Sequence, residues 1–177
     1  RPEVMAGLRE HYGVGTDREV AEILAADLTR SAGVKVRRPR FEAELAAAGA
    51  DGRQLRLDDR THRDAWGVVQ RTGAGGKYQE WVSGPFVETD DLDSFPWPAA
   101  EDVTVPEGLP EQVAAHKQAG YWVVGKGQVH PFKQAWHMRG FENFLCDYLA
   151  NPDWVEDIYS RLADYNVHVC RALAEAG

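Results

Sequence analysis

Sulfur is scarce in this sequence: two cysteines, Cys146 and Cys170, and two methionines in 177 residues. There is no CxxC pair and no disulfide framework, which points to a reducing, cytoplasmic setting. Basic residues are also in deficit. Only 20 Lys and Arg stand against 28 Asp and Glu, a net charge of −8. That balance argues against a nucleic-acid partner, because phosphate binding needs clustered Lys and Arg. The one basic run, "KVRRPR" from Lys35 to Arg40, is short and reads as a solvated strand edge rather than a phosphate patch. A negative total still leaves room for a local basic cleft that takes an acidic small molecule. No apolar run approaches the roughly 18–20 residues that a bilayer span needs, so no membrane partner is expected. No secretory signal is visible, although a start at Arg1 rather than Met places the native N-terminus upstream.

Several motifs are missing too. A phosphate loop needs G-x-x-x-x-G-K-[ST], but "TGAGGKY" has Arg71 at the first glycine and Tyr78 at the hydroxyl. "GKGQ", Gly125 to Gln128, lacks the third glycine of a dinucleotide fingerprint. None of the six histidines falls in HExxH or in a Cys/His zinc spacing, and His168 and Cys170, two apart on a helix, face different sides. No metal site is expected within this segment. The acids Glu88, Asp90, Asp91 and Asp93 lack the glycine and terminal Glu of a calcium loop, and helix capping accounts for them.

What is present suits a packed globule: 44% apolar residues and six tryptophans. The length allows one domain with a proper core. Pro2 to Tyr12 reads as a helix stopped by Gly13. "TDRE" is a capping box, Thr16 with Glu19, before a helix through "EVAEILAADL" with Val20, Ile23, Leu24 and Leu28 on one face. "GVKVRRP" alternates as a strand does, and "FEAELAAAGADG" reads as a helical turn ending near Gly49. "QLRLDD" is a short strand. "AWGVVQR" and "KYQEWVSG", joined by "TGAGG", form a hairpin. Thr89 or Asp90 caps a helical turn that Pro96 and Pro98 end.

Beyond Pro110 helices and strands alternate. "EQVAAHKQAG" is a helix closed by Gly120, and "YWVVG" is an all-apolar strand of the kind buried on both faces of a parallel sheet. "PFKQAWHM" is a helix with Pro131 in its first turn, and Gly140 breaks it before "FENFLCDYLA". Asn151 then starts a long helix with the stripe Val155, Ile158, Tyr159, Leu162, Tyr165, Val169 and Leu173. The fold class is α/β.

The candidate ligand-facing residues are Gly125, Gly127, Gln128 and His130, because they follow the carboxyl end of a buried strand, where α/β sheets and barrels place their sites. The glycines either let backbone approach a ligand or form a plain tight turn, and His130 is either a site residue or a solvated cap. Asp27 sits in "EILAADLTR" as a solvated helix-end acid or as a site acid.

Two stretches carry a resemblance. "DAWGVVQR…GGKYQEWVSGPF…LDSFPWP", Asp64 to Pro98, resembles the D-x-W-G-V … Y-x-E … P-L … L-D-x-Y-x-W-P run of the uroporphyrinogen decarboxylase-like (URO-D) superfamily. "YWVVGKGQ…AWHMRGFENFLCDYLANPDWVEDIYSRL" resembles that superfamily's first barrel strand, its loop and the N-P-x-x-V helix. The resemblance implies an N-terminal extension over residues 1–110, with a β-hairpin. Residues 111–177 would be the first strand–helix unit of a TIM-type (β/α)8 barrel, left incomplete after Gly177.

It also implies two enzyme readings. One is a corrinoid-linked methyltransferase in which zinc lowers the pKa of an attacking thiol, zinc and corrinoid being cofactors of the intact protein and the zinc ligands lying in the missing part of the barrel. The other is a decarboxylase acting on tetrapyrrole acetate groups, with Asp27, the match to the family's site aspartate, hydrogen-bonding pyrrole N–H groups. The family's first-loop tyrosine falls on Trp136, which offers no phenol, and its N-terminal arginine motif is not visible. Both features tilt the reading to methyl transfer. A third reading is a non-catalytic fragment that docks as a homodimer or on a missing C-terminal half-barrel, its apolar strand edge inviting a neighbour.

Overall fold

The computed structural model describes residues 2–24, 29–50 and 54–177. Local signals set most of the elements. Helix α1 (Pro2–Tyr12) stops at Gly13, whose φ of +67° is open to glycine at no steric cost. Helix α2 (Asp17–Ile23) opens on the expected capping box: the Glu19 N–H donates to Thr16 Oγ1 at 3.2 Å and the Thr16 N–H to Glu19 Oε2 at 2.8 Å. Its apolar face is narrower than expected, since Val20 is buried but Ile23 and Leu24 are exposed. Leu28 and Asp27 lie outside the described residues.

Strands β1 (Thr29–Gly33) and β2 (Lys35–Val36) follow, then α3 (Pro39–Ala47) with Pro39 at its first turn. Next come β3 (Gln54–Arg56), β4 (Thr61–Asp64), β5 (Val69–Thr72) and β6 (Gln79–Ser83). A 3-10 turn at Leu92–Ser94 and another at Ala100–Asp102 lead to β7 (Val103–Thr104). The chain ends in α4 (Leu109–Gln118), β8 (Trp122–Lys126), α5 (Pro131–Arg139), α6 (Phe141–Ala150) and α7 (Pro152–Glu175).

The molecule is mixed α/β with separate small sheets, none closed into a barrel among the described residues. Strands β3 to β6 form an antiparallel meander in sequence order, and the expected hairpin is its β5–β6 half. Strand β4, "THRD", was hidden from sequence reading because it has no apolar alternation. It forms because His62 and Arg63 pair on both sides, with Arg56 and Leu55 on one and Gln70 and Val69 on the other. Strand β2 pairs antiparallel with β7. Strand β1 pairs parallel with β8, from Thr29↔Trp122 to Gly33↔Lys126.

Three expectations need correction. The apolar pentad is not the chain's first parallel strand, because β1 precedes it in the same pair. Nor is it buried on both faces: Trp122 is 74% exposed and Val124 47%. Among the described residues β8 has one hydrogen-bonded neighbour, which leaves its other edge open, and apolar side chains reach solvent. The cap of the turn before Pro96 is also neither Thr89 nor Asp90. Asp91 Oδ1 accepts from the Asp93 and Ser94 N–H groups at 3.1 and 3.3 Å, while Thr89 Oγ1 accepts from the Asp91 N–H.

The main core lies where the post-meander loop meets α5, α6 and α7. Val68, Phe86, Leu92, Ala135, Met138, Phe144, Ile158 and Leu162 are buried together there, so residues from both sides of position 110 build it. Three indoles at its border donate to backbone carbonyls at 2.8 Å, Trp81 to His137, Trp97 to Leu92 and Trp154 to Asp90. Arg139 crosses the same border. It pairs with Asp147 at 2.7 Å and donates to the carbonyls of Phe86 and Thr89. A smaller cluster, Ala32, Leu109, Val113 and Ala176, backs the parallel pair.

Candidate functional site

Strands β1 and β8 end level with each other, Gly33 opposite Lys126. The chain leaves both strands at the same end of the pair, as Val34–Arg38 and as Gly127–His130. Helix α7 fastens the second of these segments. The Tyr165 hydroxyl donates to the Gly127 carbonyl at 2.7 Å. Asn166 brackets Val129: its Oδ1 accepts the Val129 N–H and its Nδ2 donates to the Val129 carbonyl, each at 2.9 Å.

The two glycines of "GKGQ" serve this docking. A Cβ on Gly125 would sit 2.8 Å from Leu173 Cδ1, and one on Gly127 would sit 3.2 Å from both Val169 and Val34. Gly127 also has a φ of +133°. Their small size lets α7 pack close beneath the strand end. Gln128 turns towards α7 as well, its amide nitrogen 3.7 Å from Cys170 Sγ. His130 is exposed at the position before α5, and its side chain makes no capping hydrogen bond. Trp136 is half-buried against the main core, edge-on to His137 and Phe141. Asp27 lies outside the described residues.

Beyond the carboxyl end of β1 opens a cleft of about 740 Å³, walled by Val34–Arg38 on one side and by Trp66 and Tyr165 on another. Its volume falls in the range of small-molecule sites. Val36, Phe41 and Leu45 make it apolar, while Lys35, Arg37 and Arg38 make it cationic. The "KVRRPR" run therefore supplies a cleft wall rather than only a solvated edge.

Arg38 is the central cation. Its guanidinium carbon lies 4.1 Å from the centre of a Trp66 ring and 5.7 Å from that of Tyr165. Those two rings meet edge to face at 5.1 Å. Arg38 Nη1 is buried and has no hydrogen-bond partner among the described residues. Burial pulls its pKa below the ordinary arginine value, against the opposing pull of Tyr165, Asp64 and Asp102.

The turn "DAWGV" places Trp66. Asp64 Oδ1 accepts from the Trp66 and Val68 N–H groups at 2.9 and 3.0 Å, and Gly67 completes the turn at φ +74°. Burial raises the Asp64 pKa above the ordinary carboxylate value, while those two backbone donors and Arg38 pull it back. Behind this turn is a second hollow of about 200 Å³, where Arg63 and Glu44 form an ion pair.

Sequence reading missed Arg38, Trp66 and Tyr165 as a group. The basic run and the "DAWGV" turn were both visible, but nothing local tied them to the middle of the last helix. Among the described residues no three His, Cys, Asp or Glu side chains gather as a metal site. No described helix is long and apolar enough to cross a membrane. A scan against protein-family models and comparisons with curated proteins and solved structures found no match.

Proposed function

We propose that this chain carries the ligand-binding end of a uroporphyrinogen decarboxylase-like protein. In that reading β1 and β8 are the first two staves of a (β/α)8 barrel, and the open edge of β8 is where a third would pair. The observation that carries it is the parallel pair itself. Both strands run the same way and end level; the segment leaving β1 walls an apolar and cationic cleft, and Tyr165, which also lines it, holds the carbonyl of Gly127 after β8. Barrels and open α/β sheets bind their ligands at that end because the connecting loops converge there.

The reaction assigned to the whole protein is corrinoid-linked methyl transfer. Trp136 stands at the position of the decarboxylases' tyrosine and packs against the core, offering no phenol to a substrate. This chain's own contribution is binding and orientation: Tyr165 and Asn166 hold the loop after β8, and Asp64 fixes the turn that presents Trp66. A second reading, decarboxylation of tetrapyrrole acetate groups, draws support from the cleft wall. Lys35, Arg37 and Arg38 suit a ligand bearing several carboxylates.

One assay on the full-length protein separates the two. Incubation with a methyl-corrinoid and a thiol is expected to give a methylated thiol, and a chelator is expected to stop it. Release of CO₂ from uroporphyrinogen, unaffected by chelator, would overturn methyl transfer and leave the second reading.

A further inference from the structure

The geometry points to Arg38 as the anchor for a carboxylate on a flat, apolar ligand. The inference rests on the cleft being the ligand site and names what that site recognises.

A guanidinium withdrawn from water normally carries a partner acid, because an uncompensated charge in a low-dielectric setting is costly. Arg139, elsewhere in this molecule, shows the usual arrangement: Asp147 and two carbonyls take its donors. Arg38 differs. No carboxylate among the described residues forms an ion pair with it; the Tyr165 hydroxyl interacts with its side chain, but Nη1 has no hydrogen-bond partner among the described residues. Asp64, which acts on it electrostatically, and Glu42, which lines the same cleft, are engaged with backbone. Asp64 Oδ1 accepts from Trp66 and Val68, and Glu42 Oε1 accepts the Arg38 backbone N–H at 2.9 Å. Asp102 acts on it only at longer range.

The surroundings specify the rest. The guanidinium lies over the Trp66 ring, and its planar fork suits the two oxygens of a carboxylate. Lys35 and Arg37 on the same wall add positive charge. Val34, Val36, Phe41 and Leu45 provide apolar surface for the ligand's body. The residue is only half-buried and lines the cleft, so a bound acid can reach its fork.

The test uses the full chain, isothermal titration and three probes: 1-naphthoate, its neutral amide, and inorganic phosphate. Naphthoate is expected to bind at least about tenfold tighter than naphthamide, which corresponds to one anchored charge-assisted pair. Phosphate is not expected to displace it. Arg38→Gln should lower naphthoate affinity to that of the amide, and Arg38→Lys should recover part of the difference. Near-UV circular dichroism confirms that each variant keeps its packing. Equal binding of acid and amide by the wild-type protein would overturn the proposal without any variant. Unchanged naphthoate binding by Arg38→Gln, or displacement by phosphate, would overturn it as well. Methyl transfer with no preference for naphthoate would sink this inference and leave the functional reading standing. Naphthoate selectivity without turnover would do the reverse.

Discussion

The meander β3–β6 and the parallel pair β1–β8 are both small sheets, yet the chain treats them differently. The meander leads into a loop whose apolar residues sink into α5, α6 and α7, with Phe86, Phe144, Met138, Ile158 and Leu162 fully shielded. The parallel pair buries Ala32 against only Leu109, Val113 and Ala176 in its cluster and keeps Trp122 and Val124 in solvent. Strand propensity does not separate them, because "YWVVG" is the more apolar sequence. The number of partners does. A two-stranded sheet, in which each strand has a single neighbour among the described residues, with a thin backing buries little area per residue, and burial is the main stabilising term.

Substitutions can break that contrast. The largest effect is expected at the border of the main core. Arg139→Met would leave Asp147 buried without its cation and strip two carbonyls of their donor, at a cost of about 3–5 kcal/mol. A urea titration followed by tryptophan emission reads it, and an unshifted midpoint would show that this border does not hold the fold.

Two glycines compare the regions directly. An added methyl on Gly84 meets the carbonyl oxygens of His137 and Met138 at 2.4 Å, and backbone cannot step aside. Gly84→Ala should cost roughly 3 kcal/mol. On Gly125 the methyl meets only the tip of the Leu173 side chain, which can change rotamer. Gly125→Ala should cost less than about 1 kcal/mol, and a reversed order in thermal melts would contradict the contrast.

At the open edge, Trp122→Ala should change stability by no more than about 0.5 kcal/mol, as for other exposed positions. A loss several times larger would reveal that something covers this edge in solution. The same protein run by light scattering would show whether that cover is a second copy.

The finest test concerns pH. Burial lifts the Asp64 pKa above its unfolded value, so the native state binds the proton more tightly than the unfolded chain does. Its contribution is then full below the unfolded carboxylate value of about 3.9 and is lost as pH rises through the raised native value. Asp64→Asn keeps an oxygen for Trp66 and Val68 but cannot titrate. Denaturation midpoints of wild type and variant are expected to diverge across that window, the wild type losing ground as pH rises, and parallel curves would deny the burial.

Much of the secondary structure was legible because its causes are local. Gly13, Gly49, Gly120 and Gly140 end helices or turns where expected, and each has positive φ. The Thr16 capping box and the apolar stripe of α7 also stand as read, with Tyr159 and Leu173 at the half-buried margin. The candidate site was legible only in pieces. "GKGQ" was located at a strand end, but its glycines answer to α7, which sequence spacing does not reveal. "KVRRPR" stands out in the sequence only as a charged edge, since a charge run states nothing about what lies opposite.

The sequence alone determined where helices begin and stop, because caps, prolines and left-handed glycines act within a few residues of themselves. Tertiary structure decided that β8 lies beside β1, that its apolar side chains stay wet, and that Arg38 meets Trp66 and Tyr165. Those outcomes depend on contacts between segments far apart in the chain, whose free energy comes from shared burial and from charges brought together, and no single segment contains either.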